Sequence, residues 1–154
     1  MRGLRVLGHP LHPLLSDFPM VLLLLWVAMD VAAIALGSPM LWSLARWALV
    51  GGVAAGAVAG TAGFIDYLGV AETRPRAVRT ASAHLAVMLS VLTLALIALV
   101  FRSAALPEGA GRWLELAAAV AVSAGLGVGG WLGGHLVFHH AVGVDEPGDV
   151  APRH

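Results

Sequence analysis

Seven histidines are the residues of this sequence best suited to chemistry, because imidazole ligates transition metals and moves protons near neutral pH. His9 and His12 sit in the run His9-Pro10-Leu11-His12-Pro13, His84 lies near the start of an apolar segment, and His135, His139 and His140 close another. The 154 residues include no cysteine. Thiolate zinc sites, iron–sulfur clusters, blue copper, covalent c-type haem attachment and disulfides are therefore excluded on this chain, and any metal must be held by histidine and carboxylate. No nucleophile elbow, phosphate loop or dinucleotide fingerprint is present, so covalent catalysis has no candidate.

The elements that must position these side chains are membrane spans. Hydrophobic residues make up 59% and charged residues 12% of the chain, against about half and about a quarter in soluble domains. Four apolar segments, residues 18–36, 42–67, 82–101 and 113–138, each approach the ~20 residues that cross ~30 Å of hydrocarbon. Lipid offers no partner for free backbone groups, so each is expected as an α-helix. The first carries Asp30, which argues for a span rather than a cleaved signal peptide. Gly37-Ser38-Pro39, the polar loop around Pro75 and Leu106-Pro107-Glu108-Gly109 are breakers, and short connections make sequence neighbours antiparallel. The fold class expected is an all-α integral membrane four-helix bundle, up-down-up-down, in a single domain over 1–154.

Nine arginines balance nine acids without any lysine, so net charge gives no reason to expect nucleic acid. Arg2, Arg5, Arg74, Arg76, Arg79 and Arg153 fall on the side of both termini, against Arg46, Arg102 and Arg112 on the other. The positive-inside bias makes the first side cytoplasmic. Trp42, Trp47 and Trp113 read as interfacial anchors on the opposite side, where Asp30 is expected to meet Arg46.

Drawn this way, six histidines share the cytoplasmic rim with Asp66 and Asp17. Ionisable groups at membrane depth face the interior and mark ion, proton or cofactor sites. His84 and His135 are expected to face each other across helices three and four and to hold a b-type haem axially. His139, four residues beyond His135, competes as a ligand. His9 or His12 folds over the pair, the prolines holding both histidines extended, and Asp66 orients a histidine from behind. A non-haem transition-metal ion held by the same histidines is the alternative, and rim histidines that merely bond loop carbonyls and head groups are the plain reading. Small-residue rows, Gly52, Gly56 and Gly60 in helix two and Gly125, Gly129 and Gly133 in helix four, let helices approach closely in lipid. The glycines around His135 leave room for a flat cofactor.

The His9–Pro13 run, Ala62-Gly63-Phe64-Ile65-Asp66-Tyr67, the Arg79–His84 segment, and Gly133-Gly134-His135-Leu136-Val137-Phe138 leading to Val142-Gly143-Val144 resemble an uncharacterised bacterial family of small four-helix membrane proteins, a domain of unknown function. The likeness covers residues 9–145, although His139-His140-Ala141 departs from its more usual His-Gly. Its members resemble modules fused to Rieske-type or cytochrome c domains, which implies a redox setting, a bacterial inner-membrane location and a separate iron–sulfur or cytochrome partner for this chain. The function expected is a membrane redox subunit, an electron carrier rather than a stand-alone enzyme. A cation-binding or transport protein and a structural anchor of a larger complex are the alternatives, with the cation reading weakened by the lack of an evident inverted repeat. Homo-oligomerisation is left open.

Overall fold

The computed structural model describes residues 4–7 and 9–144. Arg2 and Arg153, counted above for orientation, lie outside the described residues. A ribbon of two short antiparallel strands, β1 (Arg5–Val6) and β2 (His9–Pro10), leads into α1 (Leu11–Leu36), α2 (Pro39–Thr73), α3 (Val78–Phe101) and α4 (Gly109–Phe138). All four helices are long and apolar enough to cross a membrane. They close a ring in which α1 packs on α2, α2 on α3, α3 on α4 and α4 on α1, leaving α1 diagonal to α3 and α2 diagonal to α4. The all-α membrane bundle is therefore what forms.

The helix ends differ from expectation where prolines open a helix rather than break it. α1 begins at Leu11 rather than Phe18, with Pro10 as an extended N-cap. Pro13 falls in the first turn, where its missing N–H costs nothing. Ser16 Oγ donates to the Pro13 carbonyl at 2.9 Å instead of capping, and Pro19 is a buried residue inside the helix. His12 is thereby a helical residue of α1, whereas His9 stays extended on β2. Between α1 and α2, Gly37 adopts φ 61° and closes α1 through its N–H to the Ala33 carbonyl. Ser38 then caps α2, accepting from the Leu41 N–H, and Pro39 opens it.

Leu23, Trp26, Leu49, Val91, Ala95, Val122 and Leu126 form the mid-membrane core. The glycine rows serve it by removing volume. A methyl group at Gly52 would strike Leu23, one at Gly56 would strike Leu92, and ones at Gly125 and Gly129 would overlap Val91 and Met88. Towards the histidine rim a side chain at Gly60 would meet nothing within 4 Å, whereas ones at Gly63 and Gly133 would meet His12 and His84.

The bundle is built twice. Buried positions of α1 recur in α3 at the 72-residue separation that also divides Asp30 from Arg102: Pro19 with Val91, Leu23 with Ala95, and Trp26 with Ala98. Between α2 and α4 the offset is 70, from 59 to 129 and from 63 to 133, in the segments Ala59-Gly60-Thr61-Ala62-Gly63 and Gly129-Gly130-Trp131-Leu132-Gly133. The helix contacts keep step. Gly63 faces His12 in the first hairpin as Gly133 faces His84 in the second. α1 and α3 start at the same rim, so the halves are parallel repeats about the bundle axis, the arrangement found in several membrane transport folds.

Candidate functional site

At the histidine rim the repeat brings His12 and His84 together across the bundle, with ring centroids 6.3 Å apart and ring planes at 76°. Each ring is fixed in the same manner. His12 Nδ1 lies 2.9 Å from the Ala59 carbonyl, and His84 Nδ1 lies 2.9 Å from the Gly129 carbonyl. A carbonyl can only accept, so both Nδ1 atoms carry a hydrogen, and in the neutral imidazole Nε2 is the nitrogen with the lone pair. No hydrogen bond among the described residues engages either Nε2. One helical turn beyond each carbonyl stands a glycine that makes room for the ring: a Cβ at Gly63 would lie 2.8 Å from His12 Cε1, and one at Gly133 would lie 3.4 Å from His84 Cε1.

The two rings line a cavity of about 330 Å³, within the size range of small-molecule and cofactor sites. Its walls are mostly apolar or glycine: Leu23, Leu85, Met88 and Leu126 below, with Gly56, Gly60, Gly129, Gly130, Gly133 and Gly134 at the sides. Tyr67, also on the wall, is bonded to Ser82 Oγ at 3.0 Å. Asp66 lies on the wall too, but its carboxylate accepts the Leu4 N–H at 3.0 Å, and Leu4 in turn accepts the Leu11 N–H. Asp66 thus ties the N-terminal ribbon to α2, where a contact with histidine was expected. The mouth is narrowed from the other side by the turn after α4, whose His140 and Ala141 carbonyls accept from Arg74 at 2.7 and 2.8 Å.

The expected His84–His135 pair does not form. Gly129 and Gly133 set the face of α4 that meets His84, and His135 comes two residues later, ~200° around a helix of 3.6 residues per turn. Its ring instead stacks between Trp131, at 5.6 Å, and His139, at 4.2 Å, on the outside of α4, with His140 edge-on at 5.4 Å. His139 is removed from the cavity by the same geometry, and His9 is exposed on the ribbon. The histidines are thus divided between interior and exterior. Among the described residues no three His, Asp or Glu side chains come together in a set able to hold a metal ion, which leaves the expected metal set of His84, His135, His9, His12 and His139 unassembled.

A second polar centre lies at the opposite rim. Arg102 is clamped on Asp30, at 2.8 Å to Oδ2 and 2.5 Å to Oδ1, and Trp26 Nε1 donates to the same carboxylate at 2.7 Å. The guanidinium also sits 3.5 Å over the Trp42 ring and donates to the Trp42 carbonyl. Arg46, the partner expected for Asp30, donates instead to the Arg102 and Ser103 carbonyls. Trp42, expected as an anchor, is 2% exposed, whereas Trp47 and Trp113 face outward at 69% and 70%. Glu115 approaches Arg102 at 3.9 Å, and its Oε2 and the Arg102 Nε are buried without a hydrogen-bond partner among the described residues.

No curated protein and no solved structure matches the chain. A family description does match, over residues 8–146, a span that takes in His12, His84, both glycine walls and the Asp30–Arg102 pair. The chain belongs to the membrane-protein family described as Predicted membrane protein (DUF2231).

Proposed function

We propose that this membrane protein is a redox subunit that holds one b-type haem between His12 and His84 and exchanges electrons with a separate protein. The observation that carries the reading is the pair of imidazoles at equivalent positions of the repeat, each with Nδ1–H spent on a backbone carbonyl and Nε2 left as a donor atom. In a bis-imidazole haem each ring centroid lies ~3 Å from the iron, about 2 Å of bond and about 1 Å of ring, so the centroids are ~6 Å apart; here they are 6.3 Å apart. A backbone carbonyl accepting from the far nitrogen is the usual way to fix the tautomer and raise ligand basicity. Two imidazoles match the number of ligands a haem takes, and a transition-metal ion commonly asks for three or four.

The cavity walls supply the rest. Glycines on α2 and α4, the diagonal that carries no ligand, leave space for a flat group between the helices. Haem there would supply one-electron chemistry, and this chain's residues would set its ligation and its apolar surroundings. Arg74 and Arg5 stand at the cytoplasmic rim in this reading, which places both termini inside a bacterial inner membrane. One haem near one rim does not carry an electron across the bilayer unaided, so the partner, carrying an iron–sulfur or cytochrome centre, docks on the histidine side.

Absorbance tests the proposal. Protein purified from haem-sufficient cells, or reconstituted with haemin, is expected to show a Soret band that His12→Ala and His84→Ala each abolish and His135→Ala leaves in place. A colourless wild type after reconstitution, or a band that survives His12→Ala, overturns it.

A further inference from the structure

We propose that the stacked face of α4 formed by Trp131, His135 and His139 is a site for the headgroup of a lipid-soluble hydroquinone, which delivers electrons to the haem of the reading above, on which this inference rests. The cluster is not used by the cavity. Trp131 is 68% exposed on the outer, lipid-facing surface of α4, and its ring and those of His135 and His139 step along the helix nearly parallel, at interplanar angles of 25° and 26°. His140 closes the far side edge-on at 74° and is pinned there, its Nε2 3.4 Å from Thr80 Oγ1 and its carbonyl held by Arg74. The result is a row of flat rings opening to lipid at the rim, with imidazole nitrogens among them.

The ligand that fits those features is flat, aromatic, soluble in lipid and rich in exchangeable protons. Offset stacking on indole and imidazole holds a ring, and imidazole accepts a phenolic proton by general-base catalysis. A hydroquinone has both properties. On its other face the C-terminal part of α4 carries Gly129 and Gly133, against His84. Donor and acceptor would thus be separated by about one helix diameter, ~10 Å. In the reaction the hydroquinone loses two O–H protons, taken by imidazole and passed to water at the rim. Its two electrons would pass one at a time to a ferric haem held by His12 and His84, one quinone being released for every two haem equivalents reduced.

The experiment uses the haem-loaded full chain in lipid nanodiscs with decylubiquinol as reductant under anaerobic conditions. The wild type is expected to show haem reduction by the shift of its Soret band, and the His135→Leu/His139→Leu double variant to be slowed roughly 100-fold, while dithionite reduces both fully. Equal rates in the two, or a wild-type haem that decylubiquinol leaves ferric, overturn the quinol site and leave the haem reading standing. If no haem binds, the haem reading falls and the site is judged by quenching of tryptophan fluorescence with decylubiquinone. Saturable quenching that Trp131→Phe removes supports it, and unsaturable quenching equal in both proteins overturns it.

Discussion

The two rims of the bundle place different chemistry on the same repeated scaffold. His12 and Asp30 are 18 positions apart on α1, from 12 to 30, and His84 and Arg102 are 18 apart on α3, from 84 to 102. At a rise of 1.5 Å per residue the two pairs are thus ~27 Å apart, close to the thickness of the hydrocarbon. At one rim the repeat supplies identical residues, which cannot neutralise each other and instead stand off across a cavity. At the other it supplies an acid and a base, which close on each other and fill the axis with Trp26 and Trp42. The repeat thus gives one end with a cavity on the axis and one end that is sealed. The sealed end is where stability should reside, and the open end is where small changes should alter binding more than folding.

Breaking the sealed end is expected to have the largest effect. Arg102→Met leaves Asp30 charged and unpaired in a buried site, and losing one partner of such a pair costs about 3–5 kcal/mol. Thermal unfolding in detergent should show the loss, whereas Asp30→Leu/Arg102→Met together should recover most of it, less about 1 kcal/mol for the Trp26 indole left without its acceptor. A double variant as unstable as the single would mean that the pair does more than neutralise charge.

At the open end the two halves can be set against each other. Gly63→Ala would put a methyl group 2.8 Å from His12 Cε1, and Gly133→Ala one 3.4 Å from His84 Cε1. The first must turn the His12 ring off the Ala59 carbonyl, and the second asks only for a slight shift. Haem retention, followed by transfer to apomyoglobin, should weaken about 10- to 100-fold in Gly63→Ala and much less in Gly133→Ala, with unfolding temperatures close to wild type. Equal losses would mean that the walls, rather than the ring positions, set affinity.

Smaller still is the contact that steadies the wall. Tyr67→Phe removes the hydroxyl bonded to Ser82, a partly buried hydrogen bond that contributes about 1 kcal/mol. A modest drop in unfolding temperature with the Soret position unchanged is expected, and a moved Soret band would place Tyr67 against the cofactor.

The spans were legible because lipid leaves the backbone a single solution, so hydropathy and breakers sufficed. The start of α1 was not, because Ser16, Asp17 and Pro19 imitate a capped first turn while Pro10 and Pro13 already provide one. His12 and His84 both stand out in the sequence as candidate residues, and their approach across the bundle depends on a 72-residue offset that local spacing does not reveal. That offset emerges from the structure, where the buried positions of α1 and α3 align although their residues differ. His135 was misplaced for a reason the sequence also held, since a residue two positions past a glycine row faces away from it. The Asp30–Arg102 pair was hidden because ion pairs between distant helices leave no local spacing to read.

Asp66 gives the smallest expected effect and the finest test of how the open end is covered. Among the described residues its carboxylate accepts the Leu4 backbone N–H, and the side chain is only partly buried. Asp66→Asn keeps an oxygen able to accept that bond, so haem retention and stability should stay within about 0.5 kcal/mol of wild type. Asp66→Ala frees the ribbon, and the expected consequence is faster proteolysis near Arg5 together with faster haem loss, at little cost to the helices beneath. Limited trypsin digestion followed by mass spectrometry separates the outcomes. If Asp66→Asn already loses haem as fast as His12→Ala, then the carboxylate acts on the site itself and the open rim depends on a charge that the ribbon contact does not explain.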